Sequence, residues 1–271
     1  MRRWFPLLCA AGLMLLLVGC GQESVSSSDE LFSSSSLVIE LSSESDVSSS
    51  SSLVETESSS SSEDVSSSSR RVLDYYFGWD GGADTEGRVD TGSPEETSGY
   101  WYIFNDHEDG GSSRFIFPSD IEEDEDGNFL ASLIDAYGGI YASVVLGEGY
   151  DYPYAGFGFN IWSEHQEGVD IRKWTGICLQ YQSSIAFSME LGVENEAASP
   201  YSNYRVTVPE KKSWGYVDFP WSAFDFYPDN YDVLKNVATI KLKFEGPAGT
   251  TGDFVIEKIA SLGQCSTLCK K

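Results

Sequence analysis

Positive charge is scarce in this chain. Its 271 residues include 17 Lys and Arg against 43 Asp and Glu, which gives a formal net charge of −26 at pH 7. Such a surface repels the phosphates of nucleic acids and the anionic headgroups of lipids. The composition therefore argues against a nucleic-acid partner, and it favours neutral partners, cationic partners or divalent metals.

Histidine and closely paired cysteines are scarce as well. Only two histidines occur, and no two cysteines have the C-x-x-C spacing of a structural zinc site. Three cysteines follow Cys20, and an oxidising compartment allows one pair among them. Cys265 and Cys269 could close a small loop, whereas Cys178 lies in an apolar strand pattern that is typical of a small core residue.

A long apolar run is also missing. The run Phe5–Val18 follows two arginines and is shorter than the roughly 20 residues that a membrane-spanning helix needs. It leads into Leu17-Val18-Gly19-Cys20, a pattern typical of a bacterial lipoprotein signal. We therefore predict a signal peptide at residues 1–19 and lipidation of Cys20. The next two residues carry no acidic retention signal, so we expect an outer-membrane, surface-exposed lipoprotein.

Residues 20–70 differ sharply in composition from the rest. Between residues 21 and 69 there are 25 serines and 10 acids, and no residue is basic. Such a segment cannot bury enough apolar surface to offset the entropy of ordering it. It is predicted to be a disordered, Ser-rich acidic tether, with a mean span of roughly 35–40 Å.

The aromatic residues mark one folded domain at residues 71–265, followed by a tail at 266–271. Short alternating runs recur there between Gly, Asp, Asn and Pro turns, which predicts an all-β, jelly-roll β-sandwich. The predicted strands are Tyr100–Asn105, Ile140–Leu146, Ala155–Trp162, Gly176–Gln182, Ile185–Leu191, Tyr204–Val208, Tyr216–Phe219, Thr239–Glu245 and Asp253–Leu262. One helix is predicted between Leu130 and Tyr137, with Asn128 as its cap and Gly138 as its stop.

Alternation along these strands separates an apolar face from a polar one. The polar face carries amides, an Arg and a Trp, and amides offer both donors and acceptors to sugar hydroxyls. Either a carbohydrate-binding face or an ordinary surface fits this pattern. The loop Gly149–Tyr154, just before the predicted strand Ala155–Trp162, adds three tyrosines, which serve either binding or packing. The candidate sugar-binding residues are Trp162, Asn160, Gln180, Gln182, Glu190, Arg205, Tyr152 and Tyr154.

Several segments resemble a module of secreted proteins from fibre-degrading bacteria. They are Gly99–Asp106, Asp109–Ser113, Tyr154–Ile161, Trp174–Leu179, Val217–Phe224 and Gly252–Ile256. In their order they are similar to galactose-binding-like jelly rolls, and among these to carbohydrate-binding module family 11. The resemblance covers roughly residues 75–265. It implies a non-catalytic sandwich that binds glycan on a concave face and holds one structural calcium ion. Asp106, Asp109 and Asp253 are the positions that it indicates for calcium.

The sequence thus predicts non-catalytic binding of plant cell-wall polysaccharide by a surface lipoprotein that helps hold cells or enzymes on plant fibre. The membrane would be contacted only through the lipid on Cys20. One alternative is an envelope protein-interaction or structural module that uses the same face. The other is a glycoside hydrolase with unrecognised carboxylates, for which Glu164 and Glu167 are the first candidates. The oligomeric state stays open.

Overall fold

The computed structural model describes residues 71–73, 77–82, 87–121, 129–194 and 203–266. All of them belong to one compact unit, Asp64–Lys271. The predicted signal peptide, Cys20, the tether, Asn128 and Cys269 lie outside the described residues. Among the described residues, no helix is both long enough and apolar enough to cross a membrane.

The chain forms eleven strands and one α-helix within the described residues. The strands are β1 Gly78–Trp79, β2 Trp101–Asn105, β3 Arg114–Ile116, β4 Ile140–Val145, β5 Tyr154–Asn160, β6 Gly176–Ser183, β7 Phe187–Val193, β8 Tyr204–Val208, β9 Lys211–Pro220, β10 Val237–Glu245 and β11 Thr251–Ser261. Helix α1 spans Phe129–Tyr137 and buries three apolar residues, Leu130, Leu133 and Ile134. The predicted helix and all nine predicted strands are confirmed within a few residues, whereas β1 and β3 are additional.

The strands make two antiparallel sheets. The six-stranded sheet has the order β3-β4-β11-β6-β9, with β1 pairing on β11. The five-stranded sheet has the order β2-β5-β10-β7-β8. Their inner faces share one hydrophobic core, as the predicted β-sandwich requires.

The core is built from the alternate residues of strands in both sheets. Phe157 on β5 and Phe244 on β10 come from the five-stranded sheet, and their rings lie 5.7 and 4.5 Å from that of Phe254 on β11. Tyr181 on β6 lies edge-on to Phe187 on β7, at 5.6 Å. Because these side chains interdigitate between the sheets, each strand's remaining side chains must point away from the core.

A disulfide bond joins Cys178 on β6 to Cys265, which follows the last strand. Both cysteines are almost fully buried. Cys178 is thus buried, as predicted, but not in the core between the sheets: it alternates with the inward-facing Ile177 and Leu179 and packs with Ala260 and Cys265 in a separate small cluster. The Cys265–Cys269 pairing that the spacing allowed was wrong, because Cys265 is bonded to Cys178. Proximity in the sequence does not show which cysteines meet in space.

Candidate functional site

The outer face of the five-stranded sheet, defined as the face that points away from the core, combines aromatic, glycine and charged positions. Register places side chains from five strands in rows across it. One row runs from Arg205 through Glu190, Lys241 and Gly158 to Tyr102. The next row contains Thr207, Ser188, Lys243, Gly156 and Phe104. The face is therefore aromatic on the β2 side and charged on the β10, β7 and β8 side.

An unbroken series of rings follows one side of this face, and we call it the aromatic row. It consists of Tyr102, Phe104, Tyr154, Tyr150 and Tyr152. Successive ring centroids lie 6.2, 6.3, 6.1 and 6.1 Å apart. The last ring, on Tyr152, is 76% exposed. The aromatic row thus continues from the sheet onto the neighbouring loop, where it is open to a ligand.

Two glycines let the rings of the aromatic row lie against the sheet. A Cβ atom at Gly156 would lie 2.3 Å from Cζ of Phe104. A Cβ atom at Gly158 would lie 2.6 Å from the ring of Tyr102. Both distances are shorter than any real contact, so only glycine at these positions accommodates rings laid over β5.

Tyr154 is held in place by both its backbone and its side chain. Its N–H donates to the buried carboxylate of Asp106 at 3.1 Å, and its hydroxyl donates to Asp109 at 2.8 Å. Burial, followed by the hydrogen bond to Asp109, raises the pKa of Tyr154 well above its usual value. The ammonium of Lys243 lies 4.9 Å from the ring centroid. A neutral, fixed ring therefore stands where the aromatic and charged halves meet.

The charged half of the face is a network of ion pairs. Lys243 Nζ lies 3.9 Å from Glu190 Oε1 and 3.3 Å from Glu245 Oε2. Arg205 donates to Glu245 Oε1 at 2.7 Å. Glu190 is only 3% exposed, and burial raises the pKa of its carboxyl group. These groups hold each other in fixed positions and offer charged donors and acceptors beside the aromatic row.

A groove lies where the loop that carries Tyr150 and Tyr152 meets the ion pairs of Arg205 and Glu245. Its volume is about 730 Å³, and its walls include Tyr152, Pro153, Arg205 and Glu245. Ligand pockets commonly have volumes of about 300–1,000 Å³. The groove thus has room for a small ligand or for one end of a longer one.

The structure brings five of the eight predicted sugar-binding residues to this face or its border. They are Asn160, Glu190, Arg205, Tyr152 and Tyr154. The prediction of one shared face was wrong for Gln180 and Gln182. Both lie on β6, in the six-stranded sheet, so they point out of the opposite side of the sandwich. Alternation shows that a residue points outward but not which sheet its strand joins.

Trp162 does not join the aromatic row either. It follows the end of β5 opposite to Tyr154, and the strand between them is roughly 20 Å long at about 3.3 Å per residue. Its ring is partly buried against the core, with the guanidinium of Arg71 at 5.6 Å. The structure therefore places Trp162 in packing four residues beyond Gly158, the register partner of Tyr102, and outside the series of ring contacts that forms the aromatic row.

Sequence reasoning missed Tyr102 and Phe104, the two rings on the edge strand. Strand β2 reads Trp-Tyr-Ile-Phe-Asn, so apolar residues occupy both of its faces and hide the alternation. The signal lay in the neighbouring strand. Gly156 and Gly158 alternate with core phenylalanines on β5, and such glycines mark a close approach by other groups.

The three aspartates that the resemblance indicates for calcium do not form a metal site. Both carboxylate oxygens of Asp106 already accept hydrogen bonds, from the N–H and hydroxyl of Ser113 and from the N–H of Tyr154. Asp253 lies on β11 and accepts instead from Ser143 on β4. Among the described residues, no group of three His, Cys, Asp or Glu could hold a metal ion. Because protein donors occupy Asp106, these residues do not fit a calcium ion.

Comparison with known proteins gives structural likenesses alone. No family model matches the chain, and no curated protein matches it. It is similar to the family 11 carbohydrate-binding module from Clostridium thermocellum in complex with a β-1,3-1,4-mixed-linked tetrasaccharide, with 17% identity, a TM-score of 0.38 and coverage of 60% of this chain and 88% of that one. A family 30 module of a C. thermocellum cellulosomal cellulase gives 11% identity, a TM-score of 0.35 and coverage of 56% and 91%. TmCBM61, in complex with β-1,4-galactotriose, gives 11% identity, a TM-score of 0.29 and coverage of 60% of this chain and 88% of that one. At these identities and TM-scores, none of the three indicates what this chain binds.

Proposed function

We propose that this chain binds polysaccharide, without catalysis, on the outer face of its five-stranded sheet. The observation that carries the proposal is the aromatic row, whose rings lie 6.1–6.3 Å apart and end at an open groove. Flat rings stack on the apolar faces of pyranose units. The neighbouring charged groups supply the hydrogen bonds to hydroxyls that such stacking leaves free.

The arrangement of the carboxylates favours binding over hydrolysis. A general acid needs a raised pKa, which Glu190 has, but it must also reach the glycosidic oxygen. Glu190 is 3% exposed, accepts from Ser188 at 3.3 Å and lies beside the ammonium of Lys243. Of the two hydrolase candidates, Glu167 is hydrogen-bonded to Ser163 and lies 3.6 Å from Arg71, whereas Glu164 is exposed and lies 4.0 Å from His165. The contacts of Glu190 and Glu167 are typical of structural carboxylates.

The wider role in this proposal rests on the N-terminal sequence. A lipid on Cys20 would hold the chain to the outer membrane, and the acidic serine tether would let the domain reach outward. Many copies on one surface would add their individually weak affinities. The protein would then hold cells, or neighbouring enzymes, on plant fibre.

A native affinity gel tests the proposal directly. The full chain is run in mild detergent through gels that contain soluble β-glucan, xylan, mannan, pectin or no polymer. Its net charge of −26 moves it towards the anode, and a bound polymer retards it. We expect retardation by at least one polymer, with no release of reducing sugar.

The variants locate the site. Phe104→Ala and Tyr154→Ala each remove one ring and should weaken binding about tenfold or more, which is the usual effect at an aromatic hot spot. Tyr231→Ala removes a 39% exposed tyrosine outside the aromatic row and should bind as the wild type does. Equal retardation of all three variants and the wild type would contradict the proposed site.

A further inference from the structure

The outer face of the six-stranded sheet carries a second set of exposed rings, remote from the aromatic row. Strand β9 lies at the edge of that sheet, and its alternate residues Val217 and Phe219 pack inward. Tyr216 therefore points outward and is 53% exposed. Trp214 lies two residues earlier, where the register between β9 and β6 shifts, and it is 43% exposed. Both rings are thus open to solvent on this edge strand.

A chain of hydrogen bonds fixes polar groups next to these rings. The hydroxyl of Tyr141 on β4 donates to Glu257 at 3.0 Å, and the Gln180 amide lies 3.5 Å from the other oxygen of Glu257. Gln180 is the register partner of Tyr216. The Gln182 amide donates to the Lys212 carbonyl at 2.9 Å. Within the described part of the chain, neither glutamine side-chain oxygen accepts a hydrogen bond. Both amides are thus held in place with an acceptor still available.

The charges beside the rings favour a neutral ligand. Lys212 and Asp218 flank the two rings along β9 with opposite charges, and Glu257 is already bonded to Tyr141 and Gln180. Lys258 is buried and offers no surface charge. A charged partner would leave either Lys212 or Asp218 uncompensated, whereas hydroxyl groups pair with either sign and with both amides. Strands β4 and β9 are three spacings apart, so Tyr141 and Tyr216 lie at the two ends of a strip roughly 14 Å wide.

From these observations we infer that the outer face of the six-stranded sheet is a second binding face for a neutral glycan, centred on Trp214, Tyr216, Gln180 and Gln182. The two binding faces point out of opposite sides of the sandwich. One domain then holds two polysaccharide chains at once and links them together. The second face shares no residue with the aromatic row. An experiment can therefore refute either binding face without refuting the other.

The experiment removes each face in turn from the full chain, in mild detergent. Trp214→Ala/Tyr216→Ala removes the second face, Phe104→Ala/Tyr154→Ala removes the first, and Tyr231→Ala is the matched control. Each protein is run in the affinity gels, and each is titrated into dilute solutions of the same β-glucan, xylan, mannan and pectin while turbidity is recorded. A single cooperative unfolding transition in urea for each variant shows that it is still folded, so a change in binding is not a loss of the fold.

We expect the wild type and the control to cloud the bound polymer, because two faces cross-link its chains. Each double variant should keep some retardation, weakened about tenfold or more by loss of the second contact, and should no longer cloud the polymer. A different result is that the Phe104→Ala/Tyr154→Ala variant keeps its retardation and the Trp214→Ala/Tyr216→Ala variant loses it. That result would support the second face and refute the function proposed for the first.

Two results would overturn the inference. One is a Trp214→Ala/Tyr216→Ala variant that binds and clouds every polymer as the wild type does. The other is a wild type that sediments as a dimer without polymer while this variant sediments as a monomer. In that case, the rings would cover a second copy of the chain at the open edge of β9.

Discussion

Replacing Cys178 and Cys265 with serine would remove the disulfide bond that ties the middle of the folded domain to the turn that follows β11. The two residues are separated by 87 positions in the sequence. The cross-link therefore closes a loop that includes strands β6 to β11. In the oxidised protein this loop stays closed even when the chain unfolds, whereas in the double variant the ends of the loop separate.

The size of the effect follows from the entropy of that loop. For a loop of 87 residues at 25 °C, the chain-entropy relation gives a stabilisation of about 4.6 kcal/mol. Small domains are stable by about 5–15 kcal/mol in total, so the cross-link provides a large share. Cys178→Ser/Cys265→Ser should thus lower the free energy of unfolding by about 3–5 kcal/mol.

Urea denaturation followed by tryptophan fluorescence measures this change. The double variant should unfold at a lower urea concentration, with a somewhat steeper transition because its unfolded chain is less constrained. Cys269→Ser is the control, because it leaves the bonded pair intact, and it should match the wild type. A double variant within about 0.5 kcal/mol of the wild type would refute the entropy reasoning. A Cys265–Cys269 peptide found by mass spectrometry would refute the pairing itself.

Two further predictions concern the outer face of the five-stranded sheet. Gly156→Ala places a Cβ atom 2.3 Å from Phe104 and 2.6 Å from the Leu242 carbonyl oxygen, so the ring must move. The Gly156→Ala variant should be less stable than the wild type by about 1–3 kcal/mol in urea denaturation, and the affinity gel should retard it less. If neither value changed, the ring of Phe104 would not lie over β5. Burial raises the pKa of Glu190 in the folded state, so the wild type should lose stability as the pH rises from the unfolded pKa through the folded one. Glu190→Gln cannot ionise and should lack that loss as the pH rises above the ordinary glutamate pKa, whereas equal pH profiles for the two proteins would contradict a raised pKa.

Local patterns along the chain predicted the strands and the helix well. Core residues such as Phe157, Phe159 and Leu242 alternate with polar or small residues, and that period of two is set by strand geometry alone. Strand β1 has only two residues and β3 only three, which is too short for a period to show. The Cys178–Cys265 bond depends on which segments meet in space, and no local pattern encodes that.

The candidate site was harder to predict, because it depends on how strands are shared between the sheets. Strands β6 and β7 are consecutive in the sequence, and only residues 184–186 separate them. Those three residues carry the chain from one sheet to the other, so Gln180 and Glu190 point out of opposite sides of the sandwich. Reading both as one polar face joined two surfaces that never meet.

A more informative signal for the face lies in the small residues than in the polar ones. In a strand with one buried face, an outward glycine gives up packing and adds conformational freedom, so it is costly unless another group needs the space. On β5, Gly156 and Gly158 leave that space to the rings of Phe104 and Tyr102. The glycines of β5 therefore position two rings of the aromatic row, and a sugar that stacks on a ring needs that ring to be held in place.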